Sequence, residues 1–153
     1  MTADAARPLR LALIGLAALS IAGTAVELAT LRHWNGAVQL IPWVIAGALA
    51  VLTAVLAARP GRGAVRLVRG GAVLAILASA FGVVRHVVAN YDTAPLDRVV
   101  GPRWDSMSEL HRWWEAASGG VGPAPTFAAG VLAQAALCLL AATIRHPATQ
   151  REA

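Results

Sequence analysis

The chain has 153 residues, of which 58% are hydrophobic and only 14% charged, and its mean hydropathy is +0.62. A soluble domain carries about 25% charged residues, so this sequence has too little polar surface for a water-soluble fold. The apolar residues are gathered into four blocks, and we expect the bilayer rather than an internal core to take up most of them.

The basic residues are all arginine, and they give the chain a net charge of +5 and a pI near 11.3. In a soluble protein this balance would favour nucleic-acid binding along one basic face. Here the arginines lie between apolar segments, where they orient helices and attract anionic headgroups. We therefore expect the lipid bilayer, and no nucleic acid, as a partner. The absence of lysine and the many alanines are typical of GC-rich bacterial coding.

Cysteine and glycine patterns exclude several enzyme classes. Cys138 is the only cysteine, which excludes an intrachain disulfide, a CxxC redox pair and a thiolate zinc site. No glycine-rich phosphate-binding loop is present, and no serine and histidine stand in a recognisable catalytic arrangement. These patterns favour a protein that is not an enzyme.

The four blocks predict transmembrane helices over residues 11–31, 37–58, 70–91 and 126–144, within one membrane domain covering 1–153. Each block has about the 20 residues needed to cross the hydrocarbon. Arg85 shortens the uncharged part of the third block and is expected to snorkel to the headgroups. A cleaved signal peptide is an alternative for the first block, although its apolar run exceeds the usual 7 to 15 residues.

Orientation follows from the arginines that flank these spans, because positive charge marks the cytoplasmic side. Eight arginines share that side: Arg7, Arg10, Arg59, Arg62, Arg66, Arg69, Arg145 and Arg151. Every Trp, the single Tyr and most of the acidic residues fall on the opposite side. The pattern predicts a multi-pass protein of the bacterial cell inner membrane with both termini in the cytoplasm.

The only long connection is the outer loop, residues 92–125, and it contains a predicted helix at about 105–117. Ser106 and Glu109 have the spacing of a capping box, and Gly119 with Gly120 supplies a stop. The apolar residues of this helix share one broad sector, while its charged residues lie opposite. We expect an amphipathic helix that lies in the outer interface or caps the bundle.

Two ionisable residues inside the spans reach the same predicted height. Glu27 follows Arg10, and His86 follows Arg69, by 17 residues each, which places both roughly 25 Å above the inner boundary. The hypothesis is an outward-facing polar cluster in which these two are joined near its mouth by His33, Gln39, Asn90 and His111. Ser20, Ser79 and Gln134 form a second, mid-membrane polar layer by the same counting. Ser79, Gly82, His86 and Asn90 share one stripe of the third helix, and the stripe is predicted to face the first helix.

Several interpretations of this cluster stay open. The favoured one is an interhelical hydrogen bond or ion pair from Glu27 to His86 or Arg85 that sets the packing register. Carboxylate and imidazole are also ligands for a transition metal, through Glu27, His33 and His86, and the two histidines suit the axial positions of a haem. A proton or small-solute path is the third interpretation, and an enzyme is the least favoured.

Three segments carry a resemblance to known proteins: VELATLRHW around Glu27, GVVRHVVANYD around His86, and PAPTFAAGVLAQAAL followed by IRHPA. The combination resembles a group of small bacterial four-helix integral membrane proteins and covers most of residues 22–147. The resemblance implies the topology. That group has no established activity, so the resemblance implies no catalytic residues.

Together these observations predict an all-α, four-transmembrane-helix bundle with a short amphipathic interfacial helix between the third and fourth spans. The predicted role is a non-enzymatic accessory or structural membrane component. Its expected partners, besides lipid, are another membrane protein or further copies of the chain.

Overall fold

A computed structural model describes residues 3–150, and helices are the only regular secondary structure in this part of the chain. The long helices are α1 (Ala3–Thr30), α2 (Ala37–Ala58) and α3 (Arg62–Thr93). Two 3-10 helices follow at Ala94–Leu96 and Gly101–Ser106, and then come α4 (Glu109–Ser118), α5 (Gly130–Ala142) and α6 (Pro147–Gln150). The predicted contribution of Arg151 to the inner flank lies outside the described residues.

Three of these helices are long and apolar enough to cross a membrane: Ala6–Thr30 within α1, Ala37–Ala58, and Arg62–Leu96. This finding indicates a membrane protein and agrees with the first three predicted spans. The fourth predicted span, 126–144, contains α5, which has only 13 residues and is about 20 Å long. Hydrogen-bonded turns at 126–129 and 143–145 flank α5.

Helix boundaries differ from the predicted spans where charged residues extend a helix. The α2 boundaries agree with the predicted 37–58. Helix α3 begins at Arg62, earlier than the predicted 70, because arginine is a good helix former and nothing between Gly63 and Gly70 stops the helix. The predicted capping box was wrong: α4 begins after Ser108, whereas Ser106 ends the second 3-10 helix.

The chain divides into two compact units, which we call the helical unit (residues 3–79 and 130–150) and the loop unit (residues 80–129). In the helical unit, α1 packs against α5 and α2, and α2 packs against α5. Its buried core mixes small and branched side chains, including Ala17, Leu49, Val68 and Leu139. A Cβ atom on Gly71 would lie 2.5 Å from Leu52 Cδ1, so this position needs glycine unless Leu52 shifts. Small residues of this kind let membrane helices approach closely.

The loop unit contains the end of α3, both 3-10 helices, α4 and the segment that leads to α5. A small apolar core holds it together, with Trp104 and Val121 buried between the two 3-10 helices and α4. Helix α4 ends at Gly119, which has a left-handed φ of 79°, as the predicted stop requires. Charged and apolar residues occupy opposite sides of α4, and Leu110 is 82% exposed.

Candidate functional site

Asn90 lies at the centre of the loop unit and is completely buried. Its Nδ2 donates to Ala124 O at 2.9 Å, and to Ala116 O and Thr126 Oγ1 at 3.3 Å each. Its Oδ1 accepts a hydrogen bond from the Ala124 N–H at 2.9 Å. A buried amide is stabilising only when its donors and its acceptor are satisfied, and here both ends of the amide are bonded.

His86 lies one helical turn before Asn90 and contacts the same segment. Its Nδ1 is 2.7 Å from Pro125 O. A backbone carbonyl can only accept, so the proton of the neutral imidazole is on Nδ1 and Nε2 carries the lone pair. A ring nitrogen fixed in this way by a carbonyl is the usual support of a histidine ligand, but it is equally a packing contact between α3 and the chain at Pro125.

Gly82 completes this face of α3. A Cβ atom on Gly82 would lie 2.9 Å from the Cβ of Ala129, so the two backbones are in close contact there. Gly82, His86 and Asn90, which the sequence placed on one stripe, therefore all contact residues 124–129. The polar residues of the stripe fasten this segment to α3.

His111, the third predicted member of the cluster within the loop unit, lies on α4 and bonds with its own helix. Its Nε2 is 3.2 Å from Glu115 Oε1, and its side chain is 53% exposed. The pair has the i, i+4 spacing of a surface helix pair, which contributes a few tenths of a kcal/mol at most. The described contacts of His111 thus stay within α4 and do not include the segment at 124–126.

Tyr91, the residue after Asn90, belongs to an aromatic cluster that the sequence did not predict. Tyr91 stacks on Trp113 with ring centroids 4.2 Å apart, and it meets Trp104 edge-on at 5.2 Å. Glu109 Oε1 accepts from the Tyr91 hydroxyl at 2.9 Å and from Trp113 Nε1 at 3.0 Å. Arg112 donates to Trp104 O at 2.9 Å and lies 3.7 Å from Glu109. The pairs within α4 have recognisable helical spacing, whereas nothing local to Tyr91 indicates its partners.

The remaining predicted members of the outer cluster belong to the helical unit. Glu27 is exposed on α1, and among the described residues its carboxylate has no hydrogen bond or ion pair. The Gln39 side chain accepts from the Asn35 N–H at 2.8 Å, which stabilises the turn between α1 and α2. His33 lies in the same turn, and its carbonyl accepts from Trp43 Nε1 at 2.8 Å. The pairing of Glu27 with His86 stays a prediction.

Members of the predicted mid-membrane layer differ in their exposure. Ser79 is 2% exposed, and its hydroxyl has no hydrogen-bond partner in the part of the chain that the structure describes. The Thr24 hydroxyl on α1 is in the same condition. Gln134 is exposed on α5, and Ser20 is half-buried. Their assembly into one layer stays a prediction.

Within residues 6–149, no three His, Cys, Asp or Glu side chains are grouped as they would be around a metal ion. For a metal or haem site, the described side chains therefore offer one histidine with a fixed ring, His86, and no assembled set of ligands.

A second polar cluster lies in the helical unit, where α5 ends. Arg69 donates from Nε to Thr143 Oγ1 at 3.0 Å and from Nη2 to Thr143 O at 2.8 Å. Arg10 donates to Arg145 O at 3.0 Å. The sequence indicated only that these arginines share one side of the membrane, because contacts 74 and 135 positions apart have no local signal.

Comparisons with protein-family models, with curated proteins and with solved structures found no match for this chain.

Proposed function

We propose that the protein is a non-enzymatic accessory or structural component of a bacterial cytoplasmic membrane. It has four spans, both termini lie in the cytoplasm, and the loop of residues 92–125 lies on the outer side of the membrane. This proposal is supported by the hydrogen bonds of His86 and Asn90, which connect α3 to residues 124–126. These two are the polar residues best suited to a ligand site. Because these polar groups bond within the protein itself, they support a scaffold role.

A fourth span is supported by the segment around α5. Turns at 126–129 and 143–145 continue α5 at both ends, so the apolar segment has the length of a span even though its regular helix is short. The topology is testable by labelling single cysteines with a membrane-impermeant maleimide in a Cys138→Ala background. We expect Ser118→Cys to react in intact cells and Gly63→Cys to react only after permeabilisation. The reverse pattern would refute the proposed orientation.

Helix α4 is proposed to lie in the outer headgroup layer. Leu110 and Trp114 are 82% and 68% exposed and lie one turn apart, and tryptophan favours the membrane interface. Spin labels at Leu110→Cys and His111→Cys provide matched neighbouring probes on different sides of the helix. We expect the label at 110 to be relaxed more by oxygen and the label at 111 more by a water-soluble nickel complex. Equal accessibility to the nickel complex would contradict an interfacial α4.

Contact with a partner protein is proposed at Glu27. A carboxylate exposed on an apolar helix needs a headgroup-level environment or a polar group from another chain. If this carboxylate binds a partner, Glu27→Gln should release a partner that co-purifies with the wild type, while Asp92→Asn, an exposed carboxylate on α3, should retain it. Recovery of the same partner with both variants would refute this role of Glu27.

A metal or haem site is the second candidate, and it is favoured by the fixed Nδ1–H tautomer of His86. The sequence adds Glu27 and His33 as candidate ligands. This function requires stoichiometric metal, or a Soret band, in protein purified after growth in metal-replete medium, and loss of that signal with His86→Ala. Protein without metal or haem under those conditions would eliminate it and leave the scaffold role.

A further inference from the structure

Arg69 is the last arginine in the basic first part of α3 and directly precedes the uncharged segment 70–84. Two hydrogen bonds to Thr143, from Nε and Nη2, fix one edge of the guanidinium, and Thr143 is only 1% exposed. Arg69 itself is exposed, and its Nη1 has no bond to another described residue. The arrangement orients a cationic group at the level where a membrane helix passes from headgroups to hydrocarbon.

An open groove of about 530 Å³ runs from Arg69 along the surface between α3 and α5. Apart from Arg69 and Thr143, its lining is apolar and consists of Val73, Leu137, Leu140, Ala141 and Ile144. Leu137 is 56% exposed and Ile144 is 62% exposed, so the groove accepts contact with hydrocarbon. The groove therefore has a cationic group at one end and an apolar lining along the rest of its length.

Positive charge at this end is not balanced by nearby described carboxylates. Arg10 bonds to Arg145 O, and its Nε is buried without a hydrogen-bond partner. Among the described side chains of the helical unit, the one carboxylate is Glu27, which lies 17 residues after Arg10 and roughly 25 Å along α1. Burial, with Arg10 and Arg69 nearby, also lowers the pKa of His146, which is consistent with a positive local field.

We propose that this groove binds one anionic phospholipid, with its phosphate on Arg69 and an acyl chain along Leu137, Leu140 and Ile144. Arginine donates to phosphate oxygens in a planar fork, and the fixed guanidinium presents that fork without further ordering. Arg10 donates to Arg145 O, two residues after Thr143, and the positive charge of these two arginines favours a net negative headgroup over a zwitterionic one. The inference rests on the membrane placement in the proposed function, but not on the orientation of the termini.

The test is native mass spectrometry of detergent-solubilised full-length protein with phosphatidylglycerol and phosphatidylcholine of identical acyl chains. We expect wild-type protein to prefer phosphatidylglycerol, and Arg69→Gln to lower its affinity about fivefold, the effect of one basic residue near an anionic headgroup. Arg59→Gln is the matched control, because Arg59 is an exposed arginine at the end of α2 and does not line the groove. Equal binding of the two lipids, or equal losses in the two variants, would overturn the proposal.

A second pair of variants tests the groove without changing charge, and it decides the matter if Arg69→Gln does not fold. Ala141→Phe should fill the groove and weaken binding of both lipids, whereas Ala50→Phe places the same ring on the exposed surface of α2. Identical lipid binding by these two variants would refute an acyl chain in the groove. The assay requires no intact membrane, so its result is separable from the labelling test of topology.

Discussion

The side-chain amide of Asn90 and the backbone of Ala124 exchange two hydrogen bonds of 2.9 Å, one in each direction. Through this pair of bonds, the Asn90 side chain holds residue 124 against α3. Because the Asn90 side chain is fully buried, its amide cannot exchange these hydrogen bonds for water without opening the loop unit.

Asn90→Ala should therefore destabilise the protein strongly. It leaves the buried carbonyl of Ala116 and the partly buried N–H and carbonyl of Ala124 without their partner, and one buried unsatisfied group costs about 1–3 kcal/mol. The measurement is the free energy of unfolding in detergent, together with proteolysis of the loop unit. Asn35→Ala is the control, because Asn35 is exposed and its side chain makes one long bond of 3.4 Å. Equal stability of the two variants would contradict a central role for Asn90.

Gly122 has a left-handed φ of 78°, and a Cβ atom there would collide with the backbone and side chain of Asn90. Gly122→Ala should cost more than the roughly 1–2 kcal/mol that the left-handed conformation alone demands. Gly119 has almost the same φ, 79°, with open space around its Cα. Gly119→Ala therefore measures the conformational cost alone, and thermal unfolding of both variants should show the larger loss for Gly122→Ala. A smaller loss at 122 would mean that the close approach to Asn90 is absent.

Composition and hydropathy predicted a helical chain with four spans, and three membrane-length helices are present in the part of the chain that the structure describes. They did not predict where α3 begins, since hydropathy detects where the membrane begins rather than where helical hydrogen bonding begins. Arg62, Arg66 and Arg69 lower the hydropathy of this segment, yet they continue the helix. The predicted start of α4 was too early. Ser106 is the last residue of a 3-10 helix that ends just before α4, so the spacing of Ser106 and Glu109 does not mark a capping box.

At the candidate site, helical spacing was sufficient to place His86 and Asn90 on one face of α3. Their partners were not predictable, because Pro125 and Ala124 lie 39 and 34 positions later and a loop has no periodicity to indicate which residue returns to a helix. For the same reason, the sequence placed Tyr91 on the outer side with the tryptophans and did not indicate its stacking on Trp113.

Tyr91 contributes to the loop unit in two separable ways. Tyr91→Phe removes the hydroxyl bond to Glu109 and should cost about 0.5–1.5 kcal/mol, the net value of one hydrogen bond. Tyr91→Leu should cost about 0.5–1.5 kcal/mol more, because it also removes the stacking on Trp113. Chemical denaturation gives both values, and near-ultraviolet circular dichroism should change mainly in the Leu variant. Equal losses in the two variants would show that the ring contact adds nothing.

His146 should make the stability of the protein depend on pH between neutrality and mild acid. Burial, Arg10 and Arg69 lower its pKa below the ordinary 6.5, and its Nδ1 accepts a hydrogen bond from the Ala148 N–H at 3.2 Å, which a proton on Nδ1 would abolish. Above pH 6.5 the imidazole is neutral in both native and unfolded chains and contributes no slope. As the pH falls through 6.5 towards the lowered native pKa, the unfolded chain binds a proton that the native protein does not, so stability decreases.

Below the native pKa both states are protonated, and the loss attributable to His146 is complete. Thermal unfolding measured from pH 7.5 to pH 5 should therefore show a falling melting temperature that His146→Gln makes shallower. His111→Gln is the control, since that imidazole lies on the exposed side of α4 and bonds only with Glu115. If His146→Gln retains the full wild-type slope while His111→Gln removes it, then the partly buried imidazole of His146 is not the group responsible.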